Sequence, residues 1–196
     1  MQRLKRAAGA ALLACALPAG AWAAEQPNIL LILADDLGFS DIASFGGEIQ
    51  TPSLDQLAGE GVRMMGFYAA PTCSPTRAML MSGTDNHLVG LGTMAEVLPF
   101  AKALQGRPGY EGHLNERAHS LPRLLKDGGY ATYMAGKWHM GEDNDEPRAG
   151  FDYFVTHKGQ GKYWGTEFNF NGKERKVLDG YYTTVVTDLA LDWLDK

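Results

Sequence analysis

The sequence predicts an α/β fold, in which helices cover a central sheet, and three stretches carry this prediction. Residues 28–34 (NILLILA) form a continuous apolar run rich in branched side chains, which is typical of a strand covered on both faces. Residues 51–61 have the pattern of a short capped helix and lead into a predicted strand over 62–70. Residues 119–129 repeat this order, with a predicted helix and then a strand over 130–135.

Both predicted helices have recognisable ends. In the first, apolar residues share one face and glycines follow the last turn. In the second, Ser120 is the expected N-cap, Pro122 suits the first turn, and Gly128 and Gly129 end the helix. Later in the chain, residues 166–177 have the pattern of a hairpin that turns at Asn171 and Gly172.

The last predicted helix, over residues 183–196, needs a partner. Its apolar side chains form one stripe, which must be covered by a sheet or by another helix. The stripe consists of Val185, Val186, Leu189, Ala190, Trp193 and Leu194. Before this helix, the glycine-rich residues 159–165 form a flexible loop that could border a substrate-binding mouth.

Residues 1–24 have the pattern of a secretory signal peptide. Three basic residues stand within the first six, an Ala- and Leu-rich run follows, and Ala21-Trp22-Ala23 offers a cleavage site. The run is interrupted by a proline and a glycine and is too short to span a bilayer. We therefore expect export, to the periplasm or the medium. Cys15 follows a Leu-Leu-Ala tripeptide, so attachment of a lipid at Cys15 is the alternative.

The remaining chain, residues 25–196, is acidic and has one cysteine. The formal net charge of the whole chain is −5, and removal of the three basic residues of the signal peptide makes it −8. An acidic balance argues against a nucleic-acid or polyanion binder, so a few local cations must hold any bound anion. Cys73 is then the only thiol, which excludes an internal disulfide. We find no repeat or linker and expect one domain.

Cys73 begins a compact chemical unit at residues 73–83 (CSPTRAMLMSG). Pro75 suits the first turn of a helix, which places Cys73 just ahead of a helix N-terminus that attracts anions. Arg77 lies about one turn further on and can lean toward the same point. Cys73 and Arg77 are therefore expected to converge on one anion. Taken alone, Cys73 could also be a buried free cysteine before an ordinary helix.

Residues 73–83 resemble the signature of the sulfatase family, which begins Cys-x-Pro-x-Arg and ends in Ser or Thr and then Gly. In that family a formylglycine-generating enzyme converts the cysteine to formylglycine, an aldehyde whose hydrate supplies the oxygen that attacks sulfur. The resemblance implies this role for Cys73. The separation of Asp35 from Cys73 by 38 residues, and of Arg77 from Lys137 by 60, is typical of the bacterial arylsulfatases.

Residues 129–139 (GYATYMAGKWH) match the second sulfatase signature. Lys137 and His139 are two residues apart at the end of a predicted strand, so their side chains are expected on the same side. The resemblance implies that Lys137 contacts the sulfate. It also implies that His139 hydrogen-bonds the formylglycine oxygen and helps to collapse the sulfated intermediate. Without the signature, a surface lysine beside a chance histidine is the alternative.

Asp35 and Asp36 directly follow the predicted strand 28–34. Neighbouring side chains reach one centre only where a strand ends and the backbone curls, and Gly38 permits such a curl. Carboxylate oxygens suit a hard cation, and no His or Cys cluster suggests zinc. The resemblance implies that both aspartates bind one divalent cation, usually calcium, together with the oxygen at position 73. A solvated turn is the alternative.

Three further stretches carry no assigned role. Residues 90–95 approximate a dinucleotide fingerprint, but no strand precedes them in the required arrangement, so we expect a loop. Residues 93–96 (TMAE) and 109–117 resemble the bacterial subgroup of sulfatases without a catalytic role that we can assign. His113 and His119 are expected to be structural.

The resemblance implies an alkaline-phosphatase-like α/β fold with a central, mostly parallel sheet. It also implies hydrolysis of a small-molecule sulfate ester, most simply an aryl sulfate. The alternatives are a phosphatase or phosphodiesterase of the same superfamily, whose relatives use Ser or Thr and two zinc ions, and a catalytically silent sulfatase-like binding protein.

We also expect the chain to be incomplete. Other metal ligands and the acid for the leaving group lie later in such enzymes and are not in this sequence. Residues 25–196 would then be the amino-terminal part of a catalytic domain, poorly folded and inactive alone. With too few cations nearby, Asp35 and Asp36 should repel each other.

Overall fold

A computed structural model describes residues 26–141 and 145–196. The predicted signal peptide, with Cys15, lies outside the described residues. The chain divides into two units, the first ending at Ala34 and the second beginning at Asp35. Within the described ranges, no helix has the length and apolar character that crossing a membrane requires.

The described part of the first unit, residues 26–34, contains no strand. The predicted strand over 28–34 is therefore wrong for this structure. A strand is defined by a hydrogen-bonded partner, and the only sheet in the described residues is built from later segments. The apolar side chains of the run are exposed, from 37% at Leu33 to 74% at Ile32.

The second unit contains four helices and four strands in its described residues, with two short 3₁₀ turns, at Ala43–Phe45 and Ala95–Val97. The helices are α1 (Pro52–Glu60), α2 (Cys73–Ser82), α3 (Leu121–Asp127) and α4 (Tyr182–Leu194). The strands are β1 (Tyr133–Gly136), β2 (Tyr153–Thr156), β3 (Trp164–Phe170) and β4 (Glu174–Tyr181).

The predicted helices are confirmed as α1, α3 and α4. Ser120 occupies the N-cap position of α3 as expected, but its side chain makes no capping hydrogen bond. The predicted strand over 62–70 is wrong, because these residues have no strand assignment and no partner in the described sheet. Val62 and Tyr68 are among the most exposed apolar side chains, at 85% and 89%.

The four strands form one mixed sheet in the order β1-β2-β3-β4. β1 and β2 are parallel, whereas β2–β3 and β3–β4 are antiparallel. The sheet in the described residues is thus not mostly parallel. The predicted hairpin explains part of this, since Asn171 (φ 55°) and Gly172 (φ 74°) both adopt the left-handed conformation of a tight turn. Such a turn returns β4 antiparallel to β3.

Helix α4 packs most of its apolar stripe on this sheet, so the expected cover comes from the chain's own strands, although Leu194 at the end of the stripe is 59% exposed. Val185 is buried in a cluster with Val155 and Phe168. Trp193 stacks on Tyr133 at 4.6 Å between ring centroids, and the Tyr133 hydroxyl donates to the Leu189 carbonyl at 2.9 Å. Burial raises the pKa of Tyr133 to about 12, which keeps this hydroxyl a donor.

A second apolar cluster supports α2 and the segment that follows β1. Its members pack residues of α2, of the 89–91 loop and of the 138–140 segment against β2. They are Ala78, Val89, Leu91, Trp138, Met140 and Phe154, all at most 4% exposed. The cluster fixes the backbone of residues 137–140 against α2, which brings the two signature stretches together.

Candidate active site

Helix α2 begins at Cys73, with Thr72 as its N-cap. Cys73 is thus the first residue of the helix rather than the residue ahead of it, and Pro75 lies in the first turn as predicted. The Cys73 thiol is partly exposed, and its Sγ lies 3.4 Å from Sδ of Met94. The reactive position therefore stands at the positive end of a helix and remains accessible.

Arg77 and Lys137 share one carboxylate, that of Asp35. Nη2 of Arg77 donates to Oδ1 of Asp35 at 2.9 Å, and Nζ of Lys137 donates to Oδ2 at 2.8 Å. Arg77 also donates through Nη1 to the Lys137 carbonyl at 2.5 Å. Both cations are buried, at 7% and 9% exposure, so their positions are set by packing as well as by charge.

The two cations decide the charge state of Asp35. Burial alone would raise the pKa of this carboxyl, but the hydrogen bonds from Lys137 and Arg77 hold it below its usual 3.8. The prediction that too few cations lie nearby is therefore wrong for Asp35, whose carboxylate pairs with both Arg77 and Lys137. Sequence spacing could not reveal this, because Lys137 lies 102 residues from Asp35.

The backbone at Asp36 differs from the one that the sequence predicted. It is exposed and has a left-handed backbone, with φ of 54°. The curl predicted at Gly38 is therefore made at Asp36 itself, while Gly38 donates its N–H to Oδ2 of Asp41 at 2.6 Å. Aspartate tolerates the left-handed region better than most residues.

His139 is buried, at 4% exposure, and also has a left-handed backbone, with φ of 53°. Its Nε2 bonds to the carboxylate of Glu96, and its Nδ1 lies 3.4 Å from the Ser74 hydroxyl. β1 ends at Gly136, so Lys137 and His139 are not on a strand, and the alternation argument for their common side is wrong. Both side chains nevertheless lie beside α2. His139 faces Ser74 of α2, and Lys137 shares the Asp35 carboxylate with Arg77 of α2.

Sequence reasoning missed three polar residues near these groups. Gln160 accepts from Nζ of Lys137 through Oε1 at 2.5 Å, and its loop was the one predicted to border a mouth. Glu96 lies in the TMAE stretch of residues 93–96, to which the sequence analysis assigned no catalytic role. His157, at the end of β2, is buried and bonds through Nε2 to the Tyr182 hydroxyl at 2.8 Å; no motif could have indicated it. Burial lowers the pKa of His157, which favours its neutral form.

The described residues do not by themselves make a metal site. Asp35 and Asp36 offer the oxygen donors that calcium prefers, but both Asp35 oxygens are taken by cations. In the described ranges no group of three or more His, Cys, Asp or Glu residues could hold an ion. His113 and His119 stand outside this constellation, and their structural role stays a prediction; Nδ1 of His113 bonds to the Glu111 carbonyl at 3.1 Å.

Comparison with known proteins places this chain in a family. The family model described as Sulfatase matches residues 27–196. The chain is 51% identical over 147 residues to an uncharacterized sulfatase of Schizosaccharomyces pombe, an alignment that covers 73% of this chain and 26% of that protein. It is 43% identical over 140 residues to an arylsulfatase of Klebsiella aerogenes, covering 70% of this chain and 29% of that one.

A solved structure agrees with the sequence comparisons. The structure of a protein in complex with its substrate, D-glucosamine-2-N,6-O-disulfate, superimposes with a TM-score of 0.72 at 32% identity. The superposition covers 88% of this chain and 32% of that one. The alkaline-phosphatase-like α/β class predicted from the sequence is thereby confirmed, while the chain spans only about a third or less of each of these relatives.

Proposed function

The chain belongs to the sulfatase family, and from this premise we propose that the protein hydrolyses sulfate esters at the N-terminus of α2. One observation carries the proposal. The side chains of Arg77 and Lys137 meet at one carboxylate, that of Asp35, at 2.9 and 2.8 Å from its oxygens. Arg77 lies one turn into the helix that Cys73 begins. Two buried cations beside a helix N-terminus are a suitable setting for a sulfate group.

Formylglycine made from Cys73 by a formylglycine-generating enzyme would supply a hydrated aldehyde oxygen as the nucleophile. A thiol is a poorer choice, because it has no second hydroxyl. In the sulfated hydrate, loss of the proton from the second hydroxyl would break the C–O bond to sulfate and return the aldehyde, which water would then hydrate again. Position 73 suits this role, since it is partly exposed and lies at the positive end of the helix.

Arg77 and Lys137 would neutralise the sulfate oxygens and the charge that develops as the ester bond breaks. The guanidinium offers a fixed fork of donors, of which one terminal nitrogen holds the Lys137 carbonyl and the other holds Asp35. His139, bonded near Ser74 at the first turn of α2, would exchange a proton with the oxygen at position 73.

A divalent cation, calcium by the family resemblance, would take carboxylate oxygens from Asp35 and Asp36 and would need further ligands. The described residues do not complete such a site, and the contacts that Arg77, Lys137 and His139 make do not depend on a bound cation. Bound calcium in the purified protein would be measured by elemental analysis.

We propose aryl sulfates as substrates, supported by the likeness to the Klebsiella arylsulfatase. The likeness to a protein bound to a sulfated glucosamine makes sugar sulfates the alternative. We further propose that the protein is exported to the periplasm or the medium, on the pattern of residues 1–24. Attachment of a lipid at Cys15 remains the alternative route to the same compartment.

The test is made on the full-length protein, expressed with and without the modifying enzyme. We expect peptide mass spectrometry to find formylglycine at position 73, and a panel of aryl, alkyl and sugar sulfates to reveal turnover that depends on this modification. Cys73→Ala should be inactive in both preparations. An active protein with an unmodified thiol would disprove the mechanism, and turnover of phosphate esters alone would disprove the function.

A further inference from the structure

The segment that carries Glu96 is firmly placed. Ala95–Val97 form a 3₁₀ turn, and Ala95 is 7% exposed. Gly112, with φ of 79°, approaches so closely that an added Cβ would meet Leu98 at 3.0 Å and Ala95 at 3.5 Å. The backbone on either side of Glu96 is therefore held by packing, which leaves the side chain a narrow range of positions.

The Glu96 carboxylate bonds through Oε1 to Nε2 of His139. The His139 side chain is only 1% exposed, and its other nitrogen faces the Ser74 hydroxyl at 3.4 Å. The imidazole is thus held at both nitrogens, by a carboxylate on one side and by the first turn of α2 on the other.

The second oxygen of Glu96 is the more informative one. Oε2 is buried and has no hydrogen-bond partner among the described residues. A buried carboxylate oxygen without a hydrogen-bond partner lowers the stability of the fold, so a glutamate is an unfavourable residue for packing alone. The His139 bond nevertheless holds the pKa of Glu96 below its usual 4.5, against the effect of burial. Structural packing alone does not account for a charge at this position.

We propose that Glu96 is a positioning residue for His139. A carboxylate accepts from Nε2–H, which makes Nδ1 the nitrogen that exchanges a proton, and Nδ1 is the one that faces Ser74 beside position 73. Without Glu96 the imidazole could adopt the other tautomer, with its proton on the wrong nitrogen. This inference rests on the proposed sulfatase function and assigns the TMAE stretch its role.

Two variants and a matched control test the proposal in the full-length protein. Glu96→Gln keeps the shape and weakens the acceptor, and Glu96→Leu removes it. We expect kcat to fall about 10- to 100-fold in Glu96→Leu, and less in Glu96→Gln, with KM changed by less than about twofold. Glu111→Gln removes another glutamate of a nearby loop, one that pairs with Arg117 at 3.2 Å, and should keep full activity.

A second readout does not depend on turnover. Nitrogen-15 spectra of labelled histidine should show His139 protonated at Nε2 in the wild type and in Glu111→Gln, and a shifted tautomer population in Glu96→Leu. An Nε2 without a proton in the wild type would overturn the proposal, as would a wild-type kcat in Glu96→Leu. If the wild type cleaves no sulfate ester, the proposed function fails, whereas the spectra still decide whether Glu96 positions His139.

Discussion

The two sides of the candidate site are held in different ways. One side consists of three side chains that are each less than 10% exposed, namely Arg77, Lys137 and His139. They belong to α2 and the 137–140 segment, which pack on the cluster around Trp138 and Phe154. Asp35 and Asp36 lie on backbone without helix or strand, and both are exposed. The first side owes its geometry to packing, whereas on the second side Asp35 is held by its ion pairs with Arg77 and Lys137.

The difference indicates a division of labour. Packed groups are preorganised, since they cannot relax when charge develops nearby, and such preorganisation is what electrostatic catalysis needs. Exposed carboxylates can rearrange at little cost when a ligand competes for their cationic partners. We therefore expect substitutions on the packed side to lower stability or turnover strongly, and substitutions on the carboxylate side to act mainly through charge.

The largest effect should come from the core beneath the packed side. Phe154 is 1% exposed and contacts the rings of Trp138 and Phe151 at 5.6 and 5.1 Å between centroids. Phe154→Ala should lower the free energy of unfolding by about 3–5 kcal/mol. The control Leu57→Ala, at a position 61% exposed on α1, should change it by less than about 0.5 kcal/mol. Chemical denaturation measures both, and equal losses would contradict the comparison.

A somewhat smaller effect should follow from Arg77→Lys. A lysine cannot contact both the Asp35 carboxylate and the Lys137 carbonyl, so one oriented donor is lost and kcat/KM should fall about 10²- to 10³-fold. Arg175→Lys is the matched control, because Arg175 also pairs through both terminal nitrogens, with Asp145, outside the site. The control should lose some stability and keep its turnover. Similar kinetics in both variants would show that Arg77 serves folding alone.

The smallest effect concerns pH. The lowered pKa of Asp35 means that its ionised form stabilises the fold above its ordinary pKa of 3.8, and that this contribution is lost as pH falls through the lowered value. The difference in unfolding free energy between wild type and Asp35→Asn should therefore shrink as the pH falls below 3.8 and through the lowered pKa of Asp35. Asp145→Asn is a positive control, because Arg175 lowers the pKa of Asp145 in the same way against burial. A difference that does not change with pH would show that Asp35 does not form the ion pairs with Arg77 and Lys137.

The sequence predicted what is local. Helices α1 and α3 follow from end signals within a few residues, and α4 follows from its apolar stripe. The β3–β4 turn follows from Asn171 and Gly172, both at positive φ. The strands over 28–34 and 62–70 were wrong, because an apolar run becomes a strand only where a partner strand lies beside it. Partners are set by contacts between distant residues, and no local pattern encodes them.

The same limit applies to the site. Cys73, Arg77, Lys137 and His139 were found because two signatures carry them, and the predicted roles of these residues remain predictions. Glu96 and Gln160 reach His139 and Lys137 across 43 and 23 residues, and a single acidic or amide residue in a loop gives no signal of its own. The backbone of His139 is equally hidden, since φ of 53° depends on how the chain leaves β1.

The separation of these contacts along the chain has a consequence for the order of folding. β3, β4 and α4 are consecutive and close on one another within about thirty residues, whereas Asp35 reaches Lys137 across 102 residues and Ser74 reaches His139 across 65. Long loops close late, because their entropy must be lost before their contacts form. We therefore expect pulsed hydrogen exchange to protect the hairpin and α4 first and the hydrogen-bonded later turns of α2 last. Position 73 would thus stay open to a modifying enzyme for most of the time that the chain takes to fold.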